Sequence, residues 1–184
     1  MNMAEKIAAT YLRLNGFLLL PQFTVFIDGD HGHVDLVGLR AKGSKEESAG
    51  LLFITDDEFF GAIDPGICAD PRNEFLGLVG EVKKNRQVDF PRAKQVDYVR
   101  PFLGPAPIVP AFFSAAGTSP KWTPEGLHVG TGYALEWVFK RASWMNKNLT
   151  SWSKTGSWNL SEDALSEILV LGESLGRIDL KPRQ

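Results

Sequence analysis

The most restrictive stretch of the sequence is an apolar run near its middle, FLGLVGEVKKNRQ, residues 75–87. Val79 and Val82 would point to opposite faces of a strand, so the run predicts a strand buried on both sides. Glu81 and Lys83 stand two residues apart and would share one face. Packing alone does not explain this pair. We expect it to carry chemistry, and an ion pair on a solvated sheet face is the competing interpretation.

The patterns on either side of this strand predict an α/β fold. They indicate, in order, a helix over 3–15, strands over 17–27, 33–39 and 74–84, a helix over 91–102 and a strand over 107–114. Residues 28–30, Asp-Gly-Asp, are typical of a hairpin turn. We therefore expect a core of about residues 3–115 with the order helix, three strands, helix, strand.

Two parts of the chain lie outside this core pattern. Residues 41–73 are acidic and loop-like, with a short strand at 51–55 as an option, and are interpreted as an insertion. From 120 to 184 we expect a C-terminal helical extension. Its first part fits either a strand running into a helix or a longer helix broken by glycines, and residues 161–175 predict a final helix with Ser161 as N-cap. One domain over residues 1–184 is expected.

Composition narrows the possible environments and partners. The single cysteine, Cys68, excludes an intrachain disulfide, and the N-terminal residues lack the order of a signal peptide, so we expect a cytoplasmic protein. No apolar stretch approaches the roughly 20 residues of a membrane helix. The net charge is −2, but residues 81–100 hold six basic and three acidic side chains. That segment could contact a polyanion.

Acidic and basic side chains on neighbouring predicted strands suggest a catalytic site. Asp35 lies in the strand 33–39, so it could come beside Glu81 and Lys83. Two carboxylates and an ammonium can serve metal-assisted phosphodiester cleavage, with Mg²⁺ held by the acids and Lys83 orienting water or phosphate. Glu5, on the first helix, could add a ligand or position a water. Its alternative role is a favourable charge at the helix N-terminus.

The segments AEKIAATYLRLNGF, HVDLVGL and GEVK, with the basic helix containing Gln95 and Tyr98, resemble the PD-(D/E)xK nuclease superfamily of restriction-endonuclease-like fold. The resemblance covers about residues 3–115. It implies a mixed central sheet flanked by helices and Mg²⁺- or Mn²⁺-dependent endonuclease activity on DNA, with RNA not excluded. It also allows a homodimer or a subunit of a larger assembly.

The resemblance assigns roles by position in the motif. Catalytic roles fall to Asp35, Glu81, Lys83, Glu5 and Gln95; metal binding falls to Asp35, Glu81 and Val82; and nucleic-acid contacts fall to Lys84, Arg86, Arg92 and Lys94. Two departures stand out, since Val34 replaces the motif's proline and the distance from Asp35 to Glu81 in the sequence is long. If the insertion supplied a sheet strand, Asp56 or Asp57 would compete as the first acid.

Other interpretations remain open. The stretch HGHVD, residues 31–35, is similar to part of a metallo-β-lactamase-like zinc motif, although the following residue is leucine. Four tryptophans interleaved with cations could stack on bases or serve as core and interface anchors, namely Trp137, Trp144, Trp152 and Trp158. A noncatalytic nucleic-acid-binding or protein-interaction module on the same fold is the alternative to the nuclease.

Overall fold

The computed structural model describes residues 1–40, 64–68, 76–84, 89–148 and 162–177. The helices are α1 (Met3–Leu14), α2 (Pro65–Cys68), α3 (Ala93–Leu103), α4 (Thr131–Asn148) and α5 (Glu162–Ser174). The strands are β1 (Leu18–Ile27), β2 (Asp30–Arg40), β3 (Leu76–Val82), β4 (Ile108–Ser114), β5 (Lys121–Trp122) and β6 (Leu127–Gly130).

The strands form one mixed six-stranded sheet in the order β1-β2-β3-β4-β6-β5. The β1–β2 hairpin and the β2–β3 pair are antiparallel, β3, β4 and β6 are parallel neighbours, and β5 pairs antiparallel with β6. The hairpin turns at Asp28 and Gly29, which both have positive φ, as the tight turn between two twisted strands requires. The apolar run of β3 lies in the interior of the sheet.

Helices cover both faces of the sheet. On one face α1 packs against α4 and α5, and its buried side chains, among them Tyr11 and Leu12, share a core with β3, β4 and β6. On the other face α3 places Val96 and Val99 against a smaller cluster of valines from β1, β2 and β3. Burial on both faces explains why β3 is apolar in almost every position.

A buried acid ties the segment before β3 to the first helix. Asp64 accepts hydrogen bonds from the Tyr11 hydroxyl at 2.6 Å and from the Gly66 amide at 2.8 Å. Its own amide donates to Asn15 Oδ1 at 2.8 Å, and Ile67 enters the main core. Residues 64–68 of the predicted insertion are therefore packed against the helical layer.

The element order of the predicted core is confirmed in the described residues: a helix, three strands, a helix and a strand. The region after residue 120 differs from expectation, because it adds β5 and β6 to the sheet before α4 begins. The C-terminal extension is thus not purely helical, and the strand-then-helix alternative is correct. The optional strand at 51–55 and the N-cap Ser161 lie outside the described residues.

Two glycines let β6 lie close to its neighbours. A Cβ on Gly126, which has φ of 153°, would stand 2.0 Å from the Pro110 carbonyl oxygen. At Gly130 a Cβ would stand 2.2 Å from the Ala116 carbonyl oxygen. No other residue type fits at these distances, so both glycines are required for the sheet to extend beyond β4.

None of the helices in the described part of the chain is both long and apolar enough to cross a bilayer.

Candidate active site

The two predicted acids meet where the β2–β3 ladder ends. The last regular pair of that ladder joins Leu36 to Gly80, so the next pair along would join Asp35 to Glu81. Here the strands separate, and Asp35 Oδ2 accepts a hydrogen bond of 2.7 Å from the main-chain amide of Val82. A side chain thus replaces the next main-chain acceptor of the ladder, which holds the Asp35 carboxylate beside β3.

An irregularity in β1 lies opposite Asp35. Pro21 pairs with Leu36 and Phe23 with Val34, whereas Gln22 between them has φ of 53° and is skipped in the pairing. A residue with a side chain is strained in this conformation, and such strain tends to occur at functional sites. The Gln22 amide donates to Glu5 Oε2 at 3.4 Å, so it links the irregularity to α1.

Glu81 is held by a cation on one side and an amide on the other. Lys83 Nζ donates to Glu81 Oε2 at 2.8 Å, and Gln95 Nε2 donates to Glu81 Oε1 at 3.2 Å. Gln95 also accepts from the Arg92 amide at 2.8 Å, so it caps the first turn of α3 while reaching the site. The Glu81 side chain is only 10% exposed and that of Lys83 38% exposed. The pair is a half-buried ion pair open to solvent on the lysine side.

Burial makes the two carboxylates expensive to ionise. It is the largest cause that raises the pKa of Asp35, and the nearby charge of Glu5 raises it further, whereas the Val82 amide opposes the shift. Burial also raises the pKa of Glu81, with the charge of Asp35 adding to it and the Lys83 hydrogen bond opposing it. The hydrogen bond to Glu81 raises the pKa of Lys83. Raised carboxylate pKa values beside a cation with a raised pKa are common at functional sites.

Glu5 has a structural role in the described contacts. It forms a capping box with Asn2, accepting from the Asn2 amide at 3.1 Å while its own amide donates to Asn2 Oδ1 at 3.1 Å. The terminal amine of Met1 lies 4.0 Å from Glu5 Oε2. Glu5 is buried and raises the pKa of Asp35, so its charge faces the site while its oxygens stabilise the start of α1.

The predicted nucleic-acid contacts are dispersed around α3. Lys84 follows the site directly and is exposed, and Arg92 is exposed at the N-cap of α3. Lys94 forms an ion pair with Asp28 in the β1–β2 turn, which sets the start of α3 against that turn. Arg86 lies outside the described residues.

The oxygen atoms at this site are of the kind that bind a magnesium ion. Asp35 and Glu81 offer carboxylate oxygens, and Val82 can offer only its main-chain carbonyl; hard oxygen donors of this kind suit Mg²⁺, which keeps several waters. Within the described ranges, no three His, Cys, Asp or Glu side chains lie close enough to hold a metal ion. The residues fit an ion bound by few protein ligands and do not fit a closed structural site.

The same observation bears on the zinc alternative at HGHVD. His31 is exposed, and His33 lies 3.5 Å through Nδ1 from Thr24 Oγ1. The described residues offer no third ligand for such a zinc site.

Of the four tryptophans, Trp137 packs against the main core with its ring 5.4 Å from that of Tyr11. This favours its role as a core anchor; the side chains of the other three lie outside the described set.

Sequence reasoning missed three polar residues near this sheet face. Gln22 reaches Glu5, and Ser114 Oγ lies 2.9 Å from His128 Nε2 on neighbouring parallel strands. No local pattern marks Gln22 or Ser114. A lone histidine in LHVG was the one available signal, and nothing in the sequence connected it to the end of β4.

Comparisons with protein-family models, with curated proteins and with solved structures found no match to this chain. The class that the fold defines is therefore α/β with a mixed six-stranded sheet flanked by helices.

Proposed function

We propose that this chain is a metal-dependent nuclease of the PD-(D/E)xK superfamily, with a restriction-endonuclease-like core, that hydrolyses phosphodiester bonds in DNA. One observation carries the proposal: Asp35 from β2 and the Glu81–Lys83 pair from β3 converge where the two strands separate. Gln95 from α3 joins them through Glu81. Acids and a lysine brought together at the end of a ladder have no evident packing role.

In the proposed reaction the carboxylates of Asp35 and Glu81 and the Val82 carbonyl would hold Mg²⁺ or Mn²⁺. The bound ion supplies charge that neutralises the phosphate oxygens and lowers the pKa of a water. Lys83, the more exposed partner of its ion pair, is placed to orient the attacking water or the phosphate. Gln95 positions Glu81 through the hydrogen bond to Oε1. Lys84 and Arg92 would contact the DNA backbone.

The raised pKa values of both acids support the metal requirement. Their burial disfavours the charged forms, and a divalent cation between them would offset this cost. A metal that binds the folded chain must also stabilise it by mass action. Metal binding should therefore be visible as a rise in melting temperature, independently of any cleavage.

The test is cleavage of labelled duplex, single-stranded, flapped and four-way-junction DNA with Mg²⁺ or Mn²⁺. We expect wild type to cut at least one substrate, and Glu81→Gln, Lys83→Gln and EDTA to abolish cutting. Asp97→Asn, which removes an exposed acid of α3, is the matched control and should cut normally. Cutting that survives both active-site substitutions would refute the residue assignment.

The proposal also has a clear failure that favours the alternative. A folded wild-type protein that cuts none of the substrates and gains no thermal stability from either metal would be a noncatalytic binding or interaction module.

A further inference from the structure

A row of side chains crosses the sheet beside Glu81. The register pairs Glu81 with Phe112, Phe112 with His128, and His128 with Lys121, so these four residues share one face over β3, β4, β6 and β5. At strand spacings of about 4.8 Å, His128 lies about 10 Å and Lys121 about 14 Å from Glu81 along the row. His128 and Lys121 therefore lie on the same face of the sheet as Glu81, beyond the buried Phe112.

The ring of His128 is fixed in place. Ser114 Oγ lies 2.9 Å from His128 Nε2, and the ring packs against that of Phe112 with centroids 5.5 Å apart. Phe90 in turn lies 6.0 Å from Phe112. Ser114 and Phe112 are fully buried, whereas His128 keeps part of its surface exposed. The buried serine thus orients a histidine that solvent, or a bound molecule, can reach.

The positive charge of Lys121 and the position of α3, which packs on β1 to β4, suit the binding of a nucleic-acid strand over β5 and β6. Lys121 on β5 is exposed. Burial and the charge of Lys121 lower the pKa of His128, which favours the neutral form of the ring. An aromatic ring beside an exposed cation resembles in chemistry the stacking and phosphate contacts that bind single strands.

We propose that His128 and Lys121 form a subsite for the DNA strand on one side of the scissile phosphate, with a base or sugar against the histidine ring and a phosphate on Lys121. The inference rests on the proposed nuclease function. A strand of B-DNA advances about 3.4 Å per nucleotide, so a distance of about 14 Å places the Lys121 contact roughly four nucleotides from the cleaved bond. The subsite binds substrate and takes no part in bond cleavage.

The experiment measures binding separately from cutting. Fluorescently labelled 20-nucleotide DNA, single-stranded and duplex, is titrated in EDTA at several salt concentrations, and anisotropy gives Kd. We expect His128→Ala to raise Kd by about fivefold or more, since it removes a stacking contact. Lys121→Gln should lower the salt dependence of log Kd by about one counterion. Lys140→Gln, an exposed lysine of α4, is the matched control and should change neither value.

Substrate length gives a second readout. Oligonucleotides shortened to two nucleotides on either side of the cleavable bond should lose the effects of both substitutions. Wild-type Kd and salt slope in both variants, with Glu81→Gln still inactive, would overturn the subsite and leave the nuclease intact. Weaker binding in both variants without cleavage by wild type would overturn the nuclease and keep the subsite. Absence of DNA binding by wild type would overturn both.

Discussion

Two groups of acids in this protein, the buried Asp64 alone and the half-buried Asp35 with the buried Glu81, differ in how completely their oxygens are hydrogen-bonded. Asp64 has the Tyr11 hydroxyl and the Gly66 amide as donors. Burial, the charge of Asp64 and a hydrogen bond to it together raise the pKa of Tyr133 to about 12. Asp35 stands close enough to Glu81 for its charge to raise the pKa of Glu81, and solvent reaches Lys83 beside them. The Asp64 carboxylate accepts short hydrogen bonds from neutral donors. Asp35 and Glu81, in contrast, are two carboxylates at the end of a β-ladder.

The difference separates an acid that holds the fold together from acids that are costly to it. A fully hydrogen-bonded buried carboxylate contributes to stability, and its removal leaves donors without acceptors. Two carboxylates whose pKa values are raised by burial reduce stability at neutral pH, which is typical of residues kept for function. Substitutions at the two groups should therefore have opposite effects on stability and on activity.

The largest expected effect is on cleavage. Glu81→Gln removes a charge from the proposed metal site but keeps the shape of the side chain, and the cleavage rate should fall by about 1000-fold. The melting temperature should not fall, since the buried charge is also gone. Single-turnover cleavage and thermal melts measure the two effects, with Glu136→Gln on α4 as control. A cleavage rate equal to that of wild type, or a loss of cleavage explained by unfolding, would contradict the contrast drawn between Glu81 and Asp64.

The next effect is on stability and lies at the other group. Asp64→Ala leaves the Tyr11 hydroxyl and the Gly66 amide without their acceptor, and the free energy of unfolding should fall by about 3 kcal/mol. Urea denaturation measures this loss, and cleavage by the folded fraction should be unchanged. Asp97→Asn, at an exposed position, should cost less than about 0.5 kcal/mol. A loss below 1 kcal/mol at Asp64 would show that it is not an anchor.

Asp35→Asn should stabilise the protein while abolishing cleavage. At pH 7 the burial cost of the Asp35 charge is removed and the Val82 amide keeps an acceptor, so Tm should rise by about 2–4 °C. The folded-state pKa of Asp35 is raised, so the folded wild type takes up its proton first and gains stability as pH falls through that value. The advantage of the variant should therefore shrink on acidification and vanish below about 3.8, the ordinary pKa of the group. Melts across pH test this, and a variant less stable than wild type at pH 7 would contradict it.

The smallest effect is expected at an exposed pair. Lys94→Gln breaks the ion pair with Asp28, but both side chains are largely exposed, so unfolding should change by less than about 0.5 kcal/mol. If Lys94 contacts DNA, the salt dependence of binding should still fall by about one counterion. Denaturation and binding titrations distinguish the two roles. A larger stability loss with unchanged binding would assign Lys94 to the turn alone.

The sequence predicted those parts of the fold that have a local pattern. The apolar run of β3, the periodic helix α1 and the Asp-Gly turn each follow from neighbouring residues, and their order led to Asp35 beside Glu81. Strand β5 is two residues long and β6 four, too short for a period to be recognised. They join the sheet because glycines permit close contact with segments distant in the sequence, which no local pattern shows.

The candidate site was predicted in the same uneven way. The acids and Lys83 were found because the order of the strands brings them together. The strained conformation of Gln22 arises only where β1 pairs with β2. Ser114 contacts His128 only because β4 and β6 are neighbours in the sheet. Asp64 was hidden for the opposite reason. It stands in an acidic stretch that reads as solvated loop, and its burial depends on Tyr11, 53 residues earlier.

The anchoring of Asp64 has a consequence for how this protein can change over evolution. The chain leaves the sheet at Arg40, whose guanidinium lies over the ring of Phe17, and Asp64, further along, is tied to Tyr11 and Asn15 at the end of α1. Each end is held by its own contacts. Lengthening or exchanging residues 41–63 would then cost little loop-closure entropy and leave β2 and β3 in register. The position is suited to acquiring new segments beside an unchanged sheet and the proposed active site.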